Sequence, residues 1–542
     1  MTTIIDFDAA LADKAFNALG GEAGPLTPLI EQTLAARGSG EVVWRMPVDR
    51  RSVHCLESIH RLGALAGATV DFVASDALDA QERAFFDDYM AYRLPIAPAA
   101  RRARKAAEWI EAGREAFDAL IRLRPGEVGP GAEMPDRIDT AVIIGVYGGD
   151  HIGDAAILGG AILDLHRRYG LRRATVMSAR PEHTRRLVEG LSVPVEIEVE
   201  RYRAAAVERR LKEAQALVLG GGPLFASPRI LARHLASAEA ARRRGIPFLI
   251  ERIGVVALED KLCVWAARRI ARMASRISVR SEASARHRVM AGLRVEVSPD
   301  PAFDSLASRT DLDRLPAADA AAIDDLLADT DGALTVGLNL RPTHDDWLSL
   351  PDLDDPQVDP ELLAGLCRAL VAFAEANERP VTYVYFPMNA IQLGMSDLTA
   401  ACALRRVLPA TVDLRVWQGD PSLDGVLHLL RQLDAVVAMR FHAAIFAESQ
   451  GNAPIGIEFF PPPGGKITQL FAELGRPQDA STVAAFSSEW LVDRLHARAL
   501  GAARAAEAGQ PRRQPPRLAA VKELRRRPQD VVEDKSPRET IQ

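Results

Sequence analysis

A chain of 542 residues is too long for one ordinary core, and its length predicts roughly two to four domains. A hydrophobic content of 48% suffices for well-buried cores, and a formal net charge of −6 is too small at this size to point to nucleic acid as a partner. The four cysteines, Cys55, Cys263, Cys367 and Cys402, lie far apart with no C-x-x-C pair. That argues against a disulfide framework or a zinc site, and for buried free thiols in a reducing compartment.

The opening stretch MTTIIDFDAALADKAF carries acidic residues early and lacks the basic-then-apolar pattern of a signal peptide. No apolar run reaches the length of a membrane span. A soluble, cytoplasmic protein is the expectation, with contact to a membrane-associated substrate left open. Residues 1–135 predict a separate, mainly helical region, as in AARRARKAAEWIEAGREAFDALIRL, with one strand pair near VVWRMPV and ATVDFVAS. The loop RPGEVGPGAEMPDR then stops regular structure.

From Thr140 the texture changes to short β-rich runs alternating with helical stretches: TAVIIGV, ATVMSA, ALVLGGG, PFLIERIG and RISVRS. A second set runs through LTVGLNL, VTYVYFP, TVDLRVW, DAVVAMR and APIGIEF. Such alternation predicts parallel sheets with crossover helices. The fold class expected is therefore α/β, with Rossmann-like domains at 136–310 and 311–500 facing one another across a cleft. Residues 501–542 are rich in Arg, Glu, Pro and Gln, cannot bury a core, and predict a disordered tail.

Chemistry-bearing residues recur at the predicted strand ends. GVYGGDHIGDAAIL follows TAVII and opens a helix; Gly145, Gly148, Gly149 and Gly153 would let the backbone turn and approach a ligand. The spacing is neither G-x-G-x-x-G nor a Walker loop, so NAD or ATP is poorly supported. A tight turn with Asp154 as helix-start residue explains it about as well. LVLGGGPLF places Gly220, Gly221 and Gly222 at another strand end, where close packing is the alternative. Arg280 follows RISV, with Ser281 or Ser284 available to cap the next helix. NLRP closes a strand with Asn339 and Arg341. Arg440 and His442 stand where the strand Ala435–Ala438 gives way to a helix, beside N–H groups that favour anions. In open α/β sheets these carboxyl ends are where ligands bind.

The ordered set G-x-Y-G…G-D-x-A-I-L, GGG-x-L-F, V-R-S-E, P-D-P-A-F, N-L-R-P and M-R-F-H resembles the polysaccharide pyruvyl transferase family over roughly Thr140 to Gly475. The resemblance implies a GT-B-like arrangement of two Rossmann-like domains. It also implies transfer of the enolpyruvyl group of phosphoenolpyruvate onto paired sugar hydroxyls as a ketal, with a glycan or glycolipid as acceptor. In the family, residues matching Arg440, His442 and Arg280 serve the phosphoenolpyruvate site. Asn339 and Arg341 are taken with them, His442 as general acid, and Asp154 or His151 as the group acting on the acceptor. No metal or cofactor is expected. The chain departs from the family at His151, at Ser281 and at ERIGVVA, where a glycine-rich stretch ending in G-P is usual. Two other readings fit the same fold: a glycosyltransferase using a nucleotide sugar, and a non-catalytic scaffold.

Overall fold

The computed structural model describes residues 2–507 except 8, 22–23, 49–54, 76–77, most of 79–130, 146, 148–151, 223–224, 226–227, 256–257, 259, 308–314, 344–357, 391–395 and 461–464. Among the described residues, every strand pair is parallel. The alternation of short apolar runs with helical stretches demands this, because parallel neighbours need crossover connections. The chain divides into two compact units, Pro98–Thr310 and a second made of Met1–Ala97 with Asp311–Pro516.

The second unit begins with a three-stranded sheet of β1 (Thr2–Asp6), β2 (Glu41–Val48) and β3 (Thr69–Ala74), in spatial order. The expected strand pair is β2 with β3, and β1 adds a third strand. Helical residues still outnumber strand residues here, chiefly through Thr27–Arg37 and Leu56–Ala66. Trp44 is fully buried and donates its indole N–H to Thr33 Oγ1 at 2.8 Å, which in turn bonds Leu29 O.

These N-terminal residues do not pack apart, as their sequence suggested. One apolar cluster joins Ile5, Trp44, Met46 and Ile59 to Leu338, Tyr385, Leu404 and Val437. Each such fully buried side chain contributes roughly 1.5–3 kcal/mol. The helices Ala15–Leu19 and Leu56–Ala66 lie against the helix Asp397–Val407, and Ser58 Oγ meets Cys402 Sγ at 3.6 Å. The pattern of hydrophobic residues shows that a face is buried but not what buries it.

The unit Pro98–Thr310 holds β4 (Thr140–Ile144), β5 (Arg173–Ser178), β6 (Glu196–Arg201), β7 (Ala216–Gly220), β8 (Phe248–Ile253), β9 (Arg276–Val279) and β10 (Glu296–Val297). Their order is β10-β9-β8-β7-β4-β5-β6. The C-terminal sheet holds β11 (Leu334–Asn339), β12 (Val381–Tyr385), β13 (Asp413–Val416), β14 (Ala435–Ala438), β15 (Ile455–Glu458) and β16 (Ala480–Thr482), in the order β13-β12-β11-β14-β15-β16. Both orders are Rossmann-like. In each, strand order reverses once, between β4 and β7 and between β11 and β14, and such switch points open a crevice at the strand ends.

The P-D-P-A-F stretch, Pro299–Phe303, belongs to the first of these sheets' units. Its helix Ala302–Ala307 packs on Ile152–Tyr169. Gly160 permits the contact, because a Cβ there would lie 1.8 Å from Pro301 O. At the other end of the chain, the helix Ser488–Glu507 runs past the boundary expected at 501. Residues 508–542, the rest of the expected tail, lie outside the described residues.

Candidate active site

At the switch point of the C-terminal sheet, β11 ends in Asn339 and β14 leads through Met439 into Arg440. Arg440 is the N-cap of the helix Phe441–Ser449, which Gly451 helps to end at φ +84°. Asn339 is fully buried, and its amide is fully engaged. Nδ2 donates to Phe386 O at 3.0 Å and to Asp397 Oδ2 at 3.2 Å, while Oδ1 accepts from the backbone N–H of Arg440 at 3.2 Å. Asn339 therefore positions Arg440 rather than offering its own amide to a ligand.

Arg440 is held from its other end by Asp397, a fully buried carboxylate at the start of Asp397–Val407. Asp397 Oδ1 accepts from Arg440 Nε at 2.8 Å and Nη2 at 2.5 Å. Its Oδ2 accepts from the backbone N–H of Met388 at 2.8 Å and of Asn389 at 3.2 Å. The Tyr385 hydroxyl donates to Asp397 O at 2.6 Å, and burial raises its pKa well above the ordinary tyrosine value, so it stays a donor. The arrangement fixes the guanidinium plane, and charge-assisted bonds of this kind are strong and directional. Because the Asp397 helix is braced by the N-terminal helices, that region supports the site from behind.

Two further cations stand at the neighbouring strand ends. Arg341, two residues beyond β11, lies over the rings of Phe459 and Phe460 at 4.8 and 5.5 Å from their centroids. Lys466 opens the helix Lys466–Glu473 after β15, with Nζ 5.9 Å from the Phe460 centroid. Buried Glu458, the last residue of β15, sets this geometry by accepting from Phe460 N at 2.9 Å and Ile467 N at 2.6 Å. Three adjacent strands, β11, β14 and β15, thus each deliver a cation at the carboxyl edge. His442 lies in the first turn after Arg440, half-buried, its ring edge-on to Phe441 at 5.2 Å and tilted to Phe446 at 6.5 Å.

The switch point of the unit Pro98–Thr310 is built differently. Gly145 after β4 and Gly220 at the end of β7 are bridged by Tyr147, whose hydroxyl donates to Gly220 O at 2.5 Å. A Cβ on Gly145 would come 2.6 Å from Gly220 O. Gly221 sits at φ +84°, and its Cβ would meet Ile157 at 2.4 Å. Here the glycines serve close packing; Gly222 alone of this triplet faces open space. Gly153 is buried within the helix Ile152–Tyr169, where Asp154 lines a shallow, mostly apolar hollow with Tyr147 and Leu158. Burial, then the Asp154 charge, pushes the Tyr147 phenol upward. Arg280, after β9, is nearly buried and bonds Asp300 Oδ2 at 2.9 Å, and Ser281 caps the short helix that follows by accepting from Ser284 N. Gly148, Gly149 and His151 lie outside the described residues.

The C-terminal sheet thus brings together Asn339, Arg341, Arg440 and His442, whereas Arg280, Asp154 and the glycines belong to the other unit. Sequence reasoning missed Asp397, Glu458 and Lys466. The pair Ser396–Asp397 has the form of an ordinary helix start, and nothing local marks its carboxylate as buried beneath an arginine. Lys466 was legible in principle, as a lysine opening the helix after the strand APIGIEF.

A model of the polysaccharide pyruvyl transferase family matches residues 151–458, more than half of the chain. No curated protein matches the chain. Similar solved structures include the UDP-GlcNAc 2-epimerase of Neisseria meningitidis bound to UDP-GlcNAc, at 9% identity over 66% of this chain and 90% of that one, with a TM-score of 0.44. A mutant O-GlcNAc transferase of Thermobaculum terrenum is 15% identical over 88% and 75%, with a TM-score of 0.38. The ADP-heptose LPS heptosyltransferase II of E. coli is 13% identical over 67% and 99%, with a TM-score of 0.32. Scores this low leave the fold to be argued from the sheets themselves. The family match is of another order: it takes in both switch points' later strands and the Arg440–His442 turn, so the chain belongs to the polysaccharide pyruvyl transferase family and is a transferase.

Proposed function

We propose that the protein transfers the pyruvyl group of phosphoenolpyruvate to two hydroxyls of a glycan or glycolipid sugar, forming a ketal and releasing phosphate. The observation that carries this reading is the row of Arg341, Arg440 and Lys466 at three adjacent strand ends. Phosphoenolpyruvate carries a phosphate and a carboxylate close together, and such a ligand calls for several cations, guanidiniums above all. The first turn of Phe441–Ser449 adds backbone N–H groups and the positive end of its dipole.

His442 then donates a proton to the methylene carbon, leaving a cationic carbon next to the carboxylate. One sugar hydroxyl adds to that carbon and loses its proton. The carbon–oxygen bond to phosphate breaks, and the second hydroxyl attacks and loses its proton in turn. The balance is one proton to carbon, one to the departing phosphate, and two from the acceptor.

The test is phosphate release from phosphoenolpyruvate in the presence of glycans extracted from the organism that makes the protein, with products identified by mass spectrometry. A ketal-bearing glycan formed in step with phosphate is the expected result. Calorimetric titration with nucleotide sugars in parallel addresses the glycosyltransferase alternative. Binding of those alone, with no response to phosphoenolpyruvate, would sink the pyruvyl reading.

A further inference from the structure

The transfer chemistry leaves unused a cluster of arginines at the opposite edge of the C-terminal sheet. Asp479 stands directly before β16 and so lies at the amino edge. Arg341, Arg440 and Lys466 follow their parallel strands, at the carboxyl edge. The helix Ser488–Glu507 is anchored beside Asp479: Leu491 and Leu495 are fully buried, and Trp490 Nε1 donates to Gln478 O at 3.1 Å. Arg494 and Arg498, one turn apart on that helix, run along the rim of the buried stripe and are themselves partly buried.

Buried Asp479 faces three guanidiniums. Arg498 Nη2 donates to its Oδ2. Arg494 Nη1 and Arg476 Nη1 stand 3.6 and 3.9 Å away, too far for a hydrogen bond. Arg476 has a second acid in Glu448, near the end of Phe441–Ser449. Three cations thus meet two carboxylates. Arg494 is the least satisfied: among the described residues its side chain makes no hydrogen bond, and its Nε is buried without a partner, as is Arg498 Nε. Like charges crowded together repel, and unmet N–H groups in partial burial are costly. An anion among them removes both costs, and guanidiniums grip phosphate oxygens through paired N–H donors.

We propose that Arg476, Arg494 and Arg498 form a binding site for a phosphate group, free or carried by a small metabolite, separate from the transfer row. The test uses the full chain and needs neither acceptor nor turnover. In phosphate-free buffer Arg494→Gln should melt no earlier than the wild type, because it loses no hydrogen bond and sheds a repelling charge. Calorimetric titration of the wild type with inorganic phosphate, and separately with glycerol 3-phosphate, should show binding that weakens as sodium chloride is raised. Arg494→Gln should weaken one such binding event by about tenfold or more. That event should persist in Arg440→Lys, at the other edge of the sheet. Tighter binding of the ester identifies a phosphorylated metabolite as the ligand; tighter binding of inorganic phosphate identifies the free ion. Binding to Arg494→Gln equal to the wild type, or no binding of either probe to the wild type, overturns the proposal. So does loss of all phosphate binding in Arg440→Lys, which would leave the transfer row as the anion site. An earlier melt of Arg494→Gln without phosphate also overturns it, because Arg494 would then be a plain ion-pair partner of Asp479.

Discussion

The two switch points solve the same topological problem with opposite materials. Between β4 and β7 the strand ends are the glycines Gly145 and Gly220, close together and bridged by Tyr147. Between β11 and β14 the strand ends carry Asn339, Arg341, Arg440 and His442, with a buried carboxylate beneath. In sequence both looked like ligand loops. Glycine at a strand end reports only that backbone must come close to something, and here the something is Gly220 O and the side chains of Tyr147 and Ile157. An arginine with a fully buried partner reports an electrostatic arrangement that close packing alone does not call for.

The comparison breaks most sharply at Asp397. Asp397→Asn leaves the Arg440 charge without its partner and sets an amide NH₂ among N–H donors. It should destabilise the unit containing the C-terminal sheet by about 3–5 kcal/mol, read by denaturant unfolding. A loss much smaller than that would mean the pair is a replaceable surface contact. Next comes His442→Gln, which should leave phosphoenolpyruvate binding nearly intact and lower turnover by roughly 10²–10⁴-fold per folded molecule. If the variant instead melts early yet turns over normally, His442 is structural.

In the other unit the expected losses are mechanical. Gly160→Ala forces a methyl into Pro301 O and should cost about 1–3 kcal/mol of stability, with no direct effect on donor affinity. A neutral outcome would show that the contact with Ala302–Ala307 yields easily. Acid should also strike this unit. His234 is fully buried with Nδ1 2.9 Å from the Tyr202 hydroxyl, and burial, then the Arg233 charge, lowers its pKa to about 3 from 6.5. Between those values the unfolded chain binds a proton that the folded one refuses. Stability is therefore complete above pH 6.5 and falls as pH drops toward 3, by at most about 1.4 kcal/mol per pH unit. His234→Gln should flatten that fall; an unchanged slope would place the acid sensitivity elsewhere.

Much of this was legible in the residues. Strand ALVLGGG and the strand before Arg440 followed from periodicity, because that signal is local. The family resemblance rested on motifs that do mark the switch points. What the sequence could not show was long-range. Asp397 meets Arg440 across 43 positions, β1 joins a sheet that its short sequence TTIID does not announce, and the N-terminal helices brace the Asp397 helix rather than standing apart. Asn339 was read as a ligand group because it ends a strand; only its three engaged partners show it to be a positioning residue.

The central claim is that the charged switch point, and Arg440 in it, binds the donor. It is tested most directly by titrating phosphoenolpyruvate calorimetrically into the wild type and into Arg440→Lys, with folding checked on both. Lysine keeps the charge but loses the planar fork held by Asp397, so affinity should fall by about tenfold or more while the fold survives. Equal affinity in the two proteins, or no binding to the wild type at all, would contradict the account.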